Sequence, residues 1–197
     1  MKGTNGPSDG AVFEAWWSAL VPPAPGDFWV VQALVNTIRP EQDADELAGP
    51  LVASDWLARR GLLPAATEIS ETDHQRLIDA RDGLRALARS NNGLSWDEDA
   101  VARLNRATAD VPLRVDLGSR STRFEPASDG IDGVLGGLVG IVVAARMEAV
   151  WRRLKMCRGD CGLSFYDASA RCLRRWCSME RCGNRAKARE YRRRKVR

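Results

Sequence analysis

The sequence predicts a mainly α-helical protein of the α+β class, with a helical body, one small β-hairpin and a compact cysteine-rich segment at its C-terminal end. Three observations predict this class. Apolar residues recur at helical spacing over much of residues 1–150, one short stretch alternates apolar and polar residues around a turn, and all five cysteines fall between residues 157 and 182. An apolar content of 44% and a charged content of 28% are typical of a protein that buries a core.

Composition divides the 197 residues into three parts. Residues 1–10 are rich in Gly, Ser, Asn and Pro and predict a flexible leader, residues 11–153 form the helical body, and residues 154–197 form the cysteine-rich end. The start of the chain lacks the apolar stretch of a secretory signal, so we expect the protein in the cytoplasm. The nearly uncharged run 133–145 is shorter than the roughly 20 residues that a membrane span needs, and predicts a buried helix.

Turn-forming residues separate the first helical candidates. The apolar stretch 12–20 is a short helix candidate that ends before a proline-rich segment. Residues 28–37, FWVVQALVNT, are aromatic and β-branched, and are too few for the pattern to distinguish a strand from a buried helix. Gly49 and Pro50 then open an amphipathic helix that stops near Gly61. Five tryptophans are expected in the core: Trp16, Trp17, Trp29, Trp56 and Trp96.

The helical signal is stronger in the second half of the body. Apolar residues recur near helical spacing from Glu71 to about Asn91. The stretch SWDE at residues 95–98 matches a capping box, in which serine accepts a hydrogen bond from a free amide and glutamate reaches back, and it opens the next helix. Residues 111–126 alternate around a Gly-Ser turn and predict a β-hairpin. A long helix is then expected from about Ile131 to Leu154, apolar first and basic at its end.

The net charge of +4 conceals a strong asymmetry. Residues 1–150 hold 14 Lys and Arg against 22 Asp and Glu, a charge of −8, whereas residues 151–197 hold 16 against 4, a charge of +12. A basic end on an acidic body indicates that the end meets a polyanion. A solvated basic tail without a partner is the alternative interpretation.

The cysteine spacing predicts a structural zinc site. Three residues separate Cys157 from Cys161, four separate Cys177 from Cys182, and 15 lie between the two pairs. Two close pairs at such a distance are typical of a zinc ion held by four thiolates, because each tight turn supplies two ligands. An iron–sulfur cluster uses the same four thiolates, and a redox pair or inert thiols are further alternatives. Cys172 lies between the pairs and is interpreted as an apolar filler or a spare thiol.

The residues around the cysteines predict a compact finger. Two glycines near Cys161 suit a turn whose amides point at sulfur, and residues 163–167 and 173–176 are expected to form two strands. Ser178 is expected to cap a final helix, which places Cys182 in a first turn where free amides stabilise a thiolate. Turn, hairpin and helix together resemble a treble-clef zinc finger.

Three motifs in this finger resemble the CGNR zinc-finger family: Phe165, Asp167 and Ser169 at alternate positions, RRWCSM at residues 174–179, and CGNRAKA at residues 182–188. Upstream, the stretches VNT, WLARRGLL and LNRA resemble the helical ABATE domain that members of this family usually carry. That domain is named as a stress-induced transcription regulator.

The resemblance implies a bacterial, DNA-binding transcription regulator that acts in the stress response at the nucleoid. It also implies a structural Zn²⁺ ion with the ligands Cys157, Cys161, Cys177 and Cys182. Two positions depart from the family. Ala170 stands where arginine is usual, and Cys172 stands where a polar or basic residue is common.

The final helix is predicted to bind DNA. At 100° per residue, its arginines at 181, 185, 189 and 192 fall within a sector of about 80°, which suits the phosphate backbone or the major groove. The predicted nucleic-acid-binding residues are Arg174, Arg175, Arg181, Arg185, Lys187, Arg189 and Arg192. A zinc-stabilised adaptor for RNA or for an acidic protein is the alternative, and four aromatic residues are available for base stacking: Phe165, Tyr166, Trp176 and Tyr191.

No catalytic motif is found in the sequence, and we expect the protein not to be an enzyme. The acidic group Asp43, Asp45 and Glu46 is typical of a solvated surface, and His74, the only histidine, is interpreted as a polar residue on a helix. The body is expected to sense a small-molecule effector or to mediate self-association. A homodimer would raise the affinity of a single small finger.

Overall fold

The computed structural model describes residues 17–39, 43–95, 97–117 and 122–195. The helices of the body are α1 (Phe28–Val35), α2 (Pro50–Arg59), α3 (Glu71–Ser90), α4 (Glu98–Ala107) and α5 (Gly130–Met147). Two antiparallel strand pairs accompany them: β1 (Ile38–Arg39) with β2 (Ala44–Asp45), and β3 (Leu113–Asp116) with β4 (Arg123–Pro126). The C-terminal finger holds β5 (Leu154–Met156), β6 (Ser164–Tyr166), a π-helical turn (Met179–Gly183) and α6 (Asn184–Lys195). The mainly α fold class is confirmed.

The aromatic and β-branched stretch near residue 30 is a helix and lies at the centre of the core. All eight residues of α1 are buried, as expected of a helix that is apolar nearly all round. Trp17, Trp29 and Trp56 are buried in the same core, as predicted. The predicted leader, Trp16 and Trp96 lie outside the residues that the structure describes.

The amphipathic helix α3 has the extent that the sequence predicts. The Ser70 hydroxyl caps its start by accepting a hydrogen bond from the amide of Asp73 at 3.0 Å. The helix packs so closely on α4 that a Cβ atom at Gly83 would lie 2.3 Å from the Cβ of Leu104. Glycine at this position therefore sets how near the two helices approach each other.

The N-terminal end of α4 is capped by Asp97 and not by Ser95. The Asp97 carboxylate accepts a hydrogen bond from the amide of Ala100 at 2.9 Å, whereas the Ser95 hydroxyl accepts one from Arg89 at 3.2 Å. The predicted capping box is therefore wrong. The carboxylate of Asp97 both satisfies a free amide and complements the helix dipole.

The predicted hairpin is confirmed, with Leu113 opposite Pro126 and Val115 opposite Phe124. Helix α5 packs on it so closely that a Cβ atom at Gly140 would lie 2.6 Å from the carbonyl oxygen of Phe124.

The helix α5 ends at Met147 and does not reach Leu154, so the predicted end is wrong. Ala149 has a φ of 56°, which turns the chain out of the helical path. Residues Trp151–Arg153 then form a single 3₁₀ turn that leads into β5.

By length and composition α5 is the one helix among the described residues that could cross a membrane. Its residues Ile131, Leu135 and Leu138 are buried in the core, where α5 contacts α1, α3 and β4. Core packing therefore accounts for the buried residues of the uncharged run, whereas Ile141 and Val142 are half-buried.

The finger and the body share one core. Leu154, Leu163 and Phe165 belong to the same buried cluster as the residues of α1 and α3. Strand β5 pairs antiparallel with β6, so the first cysteine pair lies in the turn between these two strands. Residues 173–176, predicted as a second strand, form no strand, because the amide and the carbonyl of Arg174 are bonded to the side chains of Asp167 and Lys155.

Candidate metal centre and basic helix

The four paired cysteines meet at one point. The sulfur atoms of Cys157, Cys161, Cys177 and Cys182 all lie within 4.8 Å of one another, and all four residues are buried. The sulfur of Cys177 is 3.7 Å from that of Cys161 and 3.7 Å from that of Cys182. The structure therefore brings together the four residues that the spacing singles out.

These distances fit a tetrahedral metal ion. With metal–sulfur bonds of about 2.3 Å, a tetrahedron sets its sulfur atoms about 3.8 Å apart. Both distances to the Cys177 sulfur match this value. Four protein ligands also leave no open position for a substrate, so an ion held here would brace the fold.

Amides and neighbouring thiols favour a thiolate at Cys157. The amides of Gly159 and Cys177 lie 3.3 and 3.4 Å from its sulfur and donate to it. Hydrogen bonds from the thiols of Cys161 and Cys177 lower the pKa of Cys157 well below its usual range, and the same interaction raises the pKa of Cys161. A divalent cation bound among these sulfurs would displace the protons of the neighbouring thiols.

Asp167 organises the loop between the two cysteine pairs. Its carboxylate accepts hydrogen bonds from the hydroxyl of Ser169 at 2.6 Å, the amide of Arg174 at 2.9 Å and the amine of Lys155 at 2.8 Å. Burial raises the pKa of Asp167, but the hydrogen bonds from Lys155 and Ser169 outweigh burial and lower the pKa to about 2. These contacts explain why the motif carries aspartate and serine two positions apart.

Lys155 is the important residue that the sequence analysis missed. Only 5% of its side chain is exposed, and its amine contacts the carbonyl oxygens of Cys172 at 2.6 Å and Arg174 at 3.3 Å as well as Asp167. It falls in the basic stretch RRLK, in which nothing distinguishes it from a surface lysine. The hydrogen bonds from Lys155 to these carbonyl oxygens take the place of backbone hydrogen bonds that a second strand would have formed.

The last helical segment begins at Ser178, as predicted. The Ser178 hydroxyl accepts a hydrogen bond from the amide of Arg181 at 3.3 Å. The π-helical turn that follows contains Cys182 and continues directly into α6. No residue of α6 is buried, and all of its residues except the half-buried Ala186 are exposed.

Most of the predicted nucleic-acid-binding residues lie on this segment. The exposed ones are Arg185, Lys187, Arg189 and Arg192, and Arg181 is half-buried. Arg189 forms an ion pair with Asp160 in the first cysteine turn, and Arg185 donates to the carbonyl oxygen of Arg181 at 2.9 Å. The predicted arginine face therefore begins beside the sulfur cluster.

Arg174 and Arg175 lie in the irregular segment before Cys177 and not on a strand. The Arg174 guanidinium donates to the carbonyl oxygen of Cys177 at 2.7 Å and lies 5.3 Å from the centre of the Phe165 ring. The side chain of Arg175 is exposed. Arg174 thus supports the cysteine turn itself, whereas Arg175 keeps its side chain in solvent.

Asparagines of the body hold the finger in place. The amide of Ser164 donates to the side-chain oxygen of Asn36 at 2.7 Å, and the side-chain nitrogen of Asn36 donates back at 3.2 Å. At the end of α3, Asn91 donates to the carbonyl oxygens of Trp151 and Leu154, both at 2.9 Å. The finger is therefore fixed to the body by side-chain contacts as well as by the shared core.

The acidic group near residue 45 has structural partners and is not a purely solvated surface. Asp45 forms an ion pair of 2.6 Å with the buried Arg81. Glu46 accepts a hydrogen bond from the indole of Trp56 at 3.0 Å. Asp45 and Glu46 therefore have structural partners within the body.

Two other residues have local contacts. His74 lies on α3, as predicted, with its ring nitrogen Nε2 2.7 Å from the carbonyl oxygen of Leu47. Cys172 is not one of the four clustered cysteines, and its sulfur lies 3.8 Å from the carbonyl oxygen of Arg152.

A helical body joined to a four-cysteine finger with a basic helix defines a zinc-finger type of protein. The model of the family described as CGNR zinc finger matches residues 153–195. The model of the family ABATE, described as "Putative stress-induced transcription regulator", matches residues 30–150. Because this second match covers more than half of the sequence, the chain belongs to the ABATE family, and it ends in a CGNR zinc finger. A search of curated proteins finds no match to the chain.

Proposed function

We propose that this ABATE protein is a DNA-binding transcription regulator and not an enzyme, and that a structural zinc ion braces the finger that contacts DNA. The observation that carries the proposal is α6, a basic helix without buried residues that begins beside the four-sulfur cluster. Cys182 lies in the turn that leads into α6. An ion held by Cys182 therefore fixes the direction in which the helix points.

The distribution of charge around α6 favours a groove over a flat surface. Its basic residues are Arg185, Lys187, Arg189, Arg192, Arg193, Arg194 and Lys195, and its single acidic residue, Glu190, pairs with Arg194 at 2.9 Å. At 100° per residue these charges occur on all sides of the helix. A helix inserted in the major groove has phosphates on both sides, whereas a flat protein surface would meet only one face.

The aromatic residues give little support to the RNA alternative. Recognition of a single strand uses exposed rings on which bases stack. Phe165 is buried, Trp176 is half-buried, and Tyr166 packs edge-on against Phe28 with ring centres 6.2 Å apart. Of the four aromatic residues named for stacking, Tyr191 alone is exposed.

The DNA proposal is tested by binding at several salt concentrations. Anisotropy of labelled duplex DNA, measured between about 50 and 200 mM salt, is expected to give an affinity that falls steeply with salt, because bound phosphates release counterions. Single-stranded RNA of equal length is the control ligand. Tighter binding of the RNA, or duplex binding that does not depend on salt, would contradict the proposal. Genome-wide immunoprecipitation with sequencing then identifies the target sites.

We propose zinc as the ion because the short sulfur–sulfur distances suit one atom at the centre of the cluster. An iron–sulfur cluster places several atoms between its thiolates. Elemental analysis of purified Cys177→Ser is expected to show the loss of stoichiometric zinc, whereas Cys172→Ser, which alters a cysteine outside the cluster, is expected to retain it. Full zinc content in Cys177→Ser, or iron and visible absorption in the unaltered protein, would refute the assignment.

The expected effector of the body stays a prediction, and an apolar cavity of about 720 Å³ supports it. The cavity lies beside α5, and its lining includes Val30, Leu62, Leu63, Val134 and Leu138. Its volume lies in the range of small-molecule sites, and Thr67, Ser128 and Asp129 add polar groups to its mainly apolar lining. A Cβ atom at Gly137 would meet nothing within 4 Å, so Gly137→Leu is expected to fill the cavity and abolish any thermal shift that an uncharged apolar compound causes. The homodimer likewise stays a prediction, which light scattering tests.

A further inference from the structure

The body reaches the peptide groups beside the clustered cysteines. The side-chain nitrogen of Asn92 donates to the carbonyl oxygens of Met156 at 2.7 Å and Arg175 at 2.9 Å. Met156 directly precedes Cys157, and Arg175 lies two residues before Cys177. One buried side chain of the body therefore spans the two turns that bring the cysteine pairs together.

Further contacts reinforce the same junction. The Arg158 guanidinium donates to the carbonyl oxygen of Asn92 at 2.8 Å, and the Arg158 amide donates to the carbonyl oxygen of Arg175 at 3.0 Å. From α3, the Arg85 guanidinium donates to the carbonyl oxygen of Gly162, the residue after Cys161, at 3.3 Å. The end of α3 and the two cysteine turns thus form one hydrogen-bonded unit.

We propose that Asn92 is a positioning residue for the metal centre. Its two donated hydrogen bonds hold the first and second cysteine turns at the separation at which their sulfurs close around one ion. A ligand set arranged in advance binds its metal more tightly, since less conformational freedom is lost when the ion enters. This inference rests on the proposed metal ligation by the four cysteines and is independent of DNA.

Asn91 provides a matched comparison. Asn91 directly precedes Asn92 and is the C-terminal cap of α3. Its side chain also donates two hydrogen bonds to the finger, both at 2.9 Å. Its acceptors, Trp151 and Leu154, lie three or more residues before Cys157. Asn91 therefore attaches the finger to the body without bridging the two cysteine turns.

The test is a comparison of Asn92→Ala with Asn91→Ala in the full-length protein. Zinc affinity is measured by competition with a chromophoric chelator at neutral pH. We expect Asn92→Ala to bind zinc about 10–100-fold more weakly, the usual effect of removing a group that orients metal ligands, and Asn91→Ala to differ from the unaltered protein by less than about threefold. Equal losses in the two variants would show that attachment alone matters and would overturn the proposal.

A second measurement covers the case in which Asn92→Ala folds poorly. Asn92→Ser keeps one donor and is expected to show a smaller loss of affinity than Asn92→Ala. Cobalt(II) binding reports on ligand geometry through its visible absorption bands, which are expected to change in Asn92→Ser and to stay unchanged in Asn91→Ala. Unchanged bands together with unchanged zinc affinity in Asn92→Ser would overturn the proposal.

A wrong metal assignment and a wrong role for Asn92 give different experimental results. If the four cysteines do not hold zinc, the unaltered protein binds no stoichiometric ion. If the cysteines hold zinc but Asn92 does not position them, the unaltered protein binds the ion and Asn92→Ala binds it equally well. Since neither measurement uses DNA, the result stands whatever the protein contacts through α6.

Discussion

Asn36 and Ser164 lie 128 positions apart in the sequence and exchange two buried hydrogen bonds, of 2.7 and 3.2 Å. Asn36 ends the central helix of the body, and Ser164 begins the second strand of the finger. The two residues therefore join the core of the body to the element that carries the cysteines. These two hydrogen bonds attach the finger to the body in addition to the buried core that they share.

The pairing of Asn36 with Ser164 predicts a large effect of Asn36→Ala on stability. The substitution leaves a buried amide and a buried carbonyl of Ser164 without partners, at a cost of about 1–3 kcal/mol for each unsatisfied group. The free energy of unfolding is measured with denaturant. Asn105→Ala, at an exposed position of α4, is the matched control and is expected to stay within about 0.5 kcal/mol. Equal effects of the two substitutions would contradict the role of Asn36.

The ion pair of Lys155 with Asp167 predicts that Lys155→Met also lowers the stability of the protein strongly. Lys155→Met leaves the Asp167 carboxylate buried without its cation, and breaking such a pair costs about 3–5 kcal/mol. The double variant Lys155→Met with Asp167→Asn removes the charge and is expected to regain part of this loss. The asparagine oxygen can still accept from the Arg174 amide, while its NH2 group can donate to the Ser169 hydroxyl. Thermal unfolding measures both. A single variant as stable as the unaltered protein would show that the pair is dispensable.

The basic helix predicts a change in the salt dependence of DNA binding. Reversal of Arg185 and Arg192 to Glu is expected to weaken binding and to reduce the slope of log affinity against log salt by about 1.8, which corresponds to two lost phosphate contacts. Arg59→Glu with Arg106→Glu, at exposed positions of the body, makes the same change of net charge. If the control pair lowers the slope as much as the α6 pair, α6 is not the contact surface.

Removal of the metal is expected to destabilise part of the body as well as the finger. The cysteine spacing alone predicts that chelators unfold the tail and spare the body. The shared core and the asparagine contacts predict instead that protection of amides in α1 and α3 against hydrogen exchange also falls when zinc is removed. Amides of α2, whose Trp56 hydrogen-bonds to Glu46 within the body, serve as the internal reference. Unchanged protection in α1 and α3 would show that the body folds independently.

Local patterns in the sequence were sufficient for the elements that depend on neighbouring residues. Helical spacing predicted α3, alternation predicted the β3–β4 hairpin, and the paired cysteines predicted a cluster that the structure brings within 4.8 Å. Local patterns gave wrong helix ends where two residues a few positions apart could each cap or end the helix. The cap of α4 at Asp97 in place of Ser95 is one case, and the end of α5 at Met147 is another.

Tertiary structure decided what local patterns could not express. Whether residues 28–35 form a strand or a helix depended on burial from all sides, and the loop before Cys177 lost its expected strand because Lys155 and Asp167 bind its backbone. The composition of 197 residues set the chemistry of the finger, four thiolates beside many arginines. The orientation of that finger depends on Asn36 and Asn92, whose hydrogen-bond partners are backbone groups of the finger. Every residue has these backbone groups, so the pattern of side chains along a sequence does not show which of them will be bound.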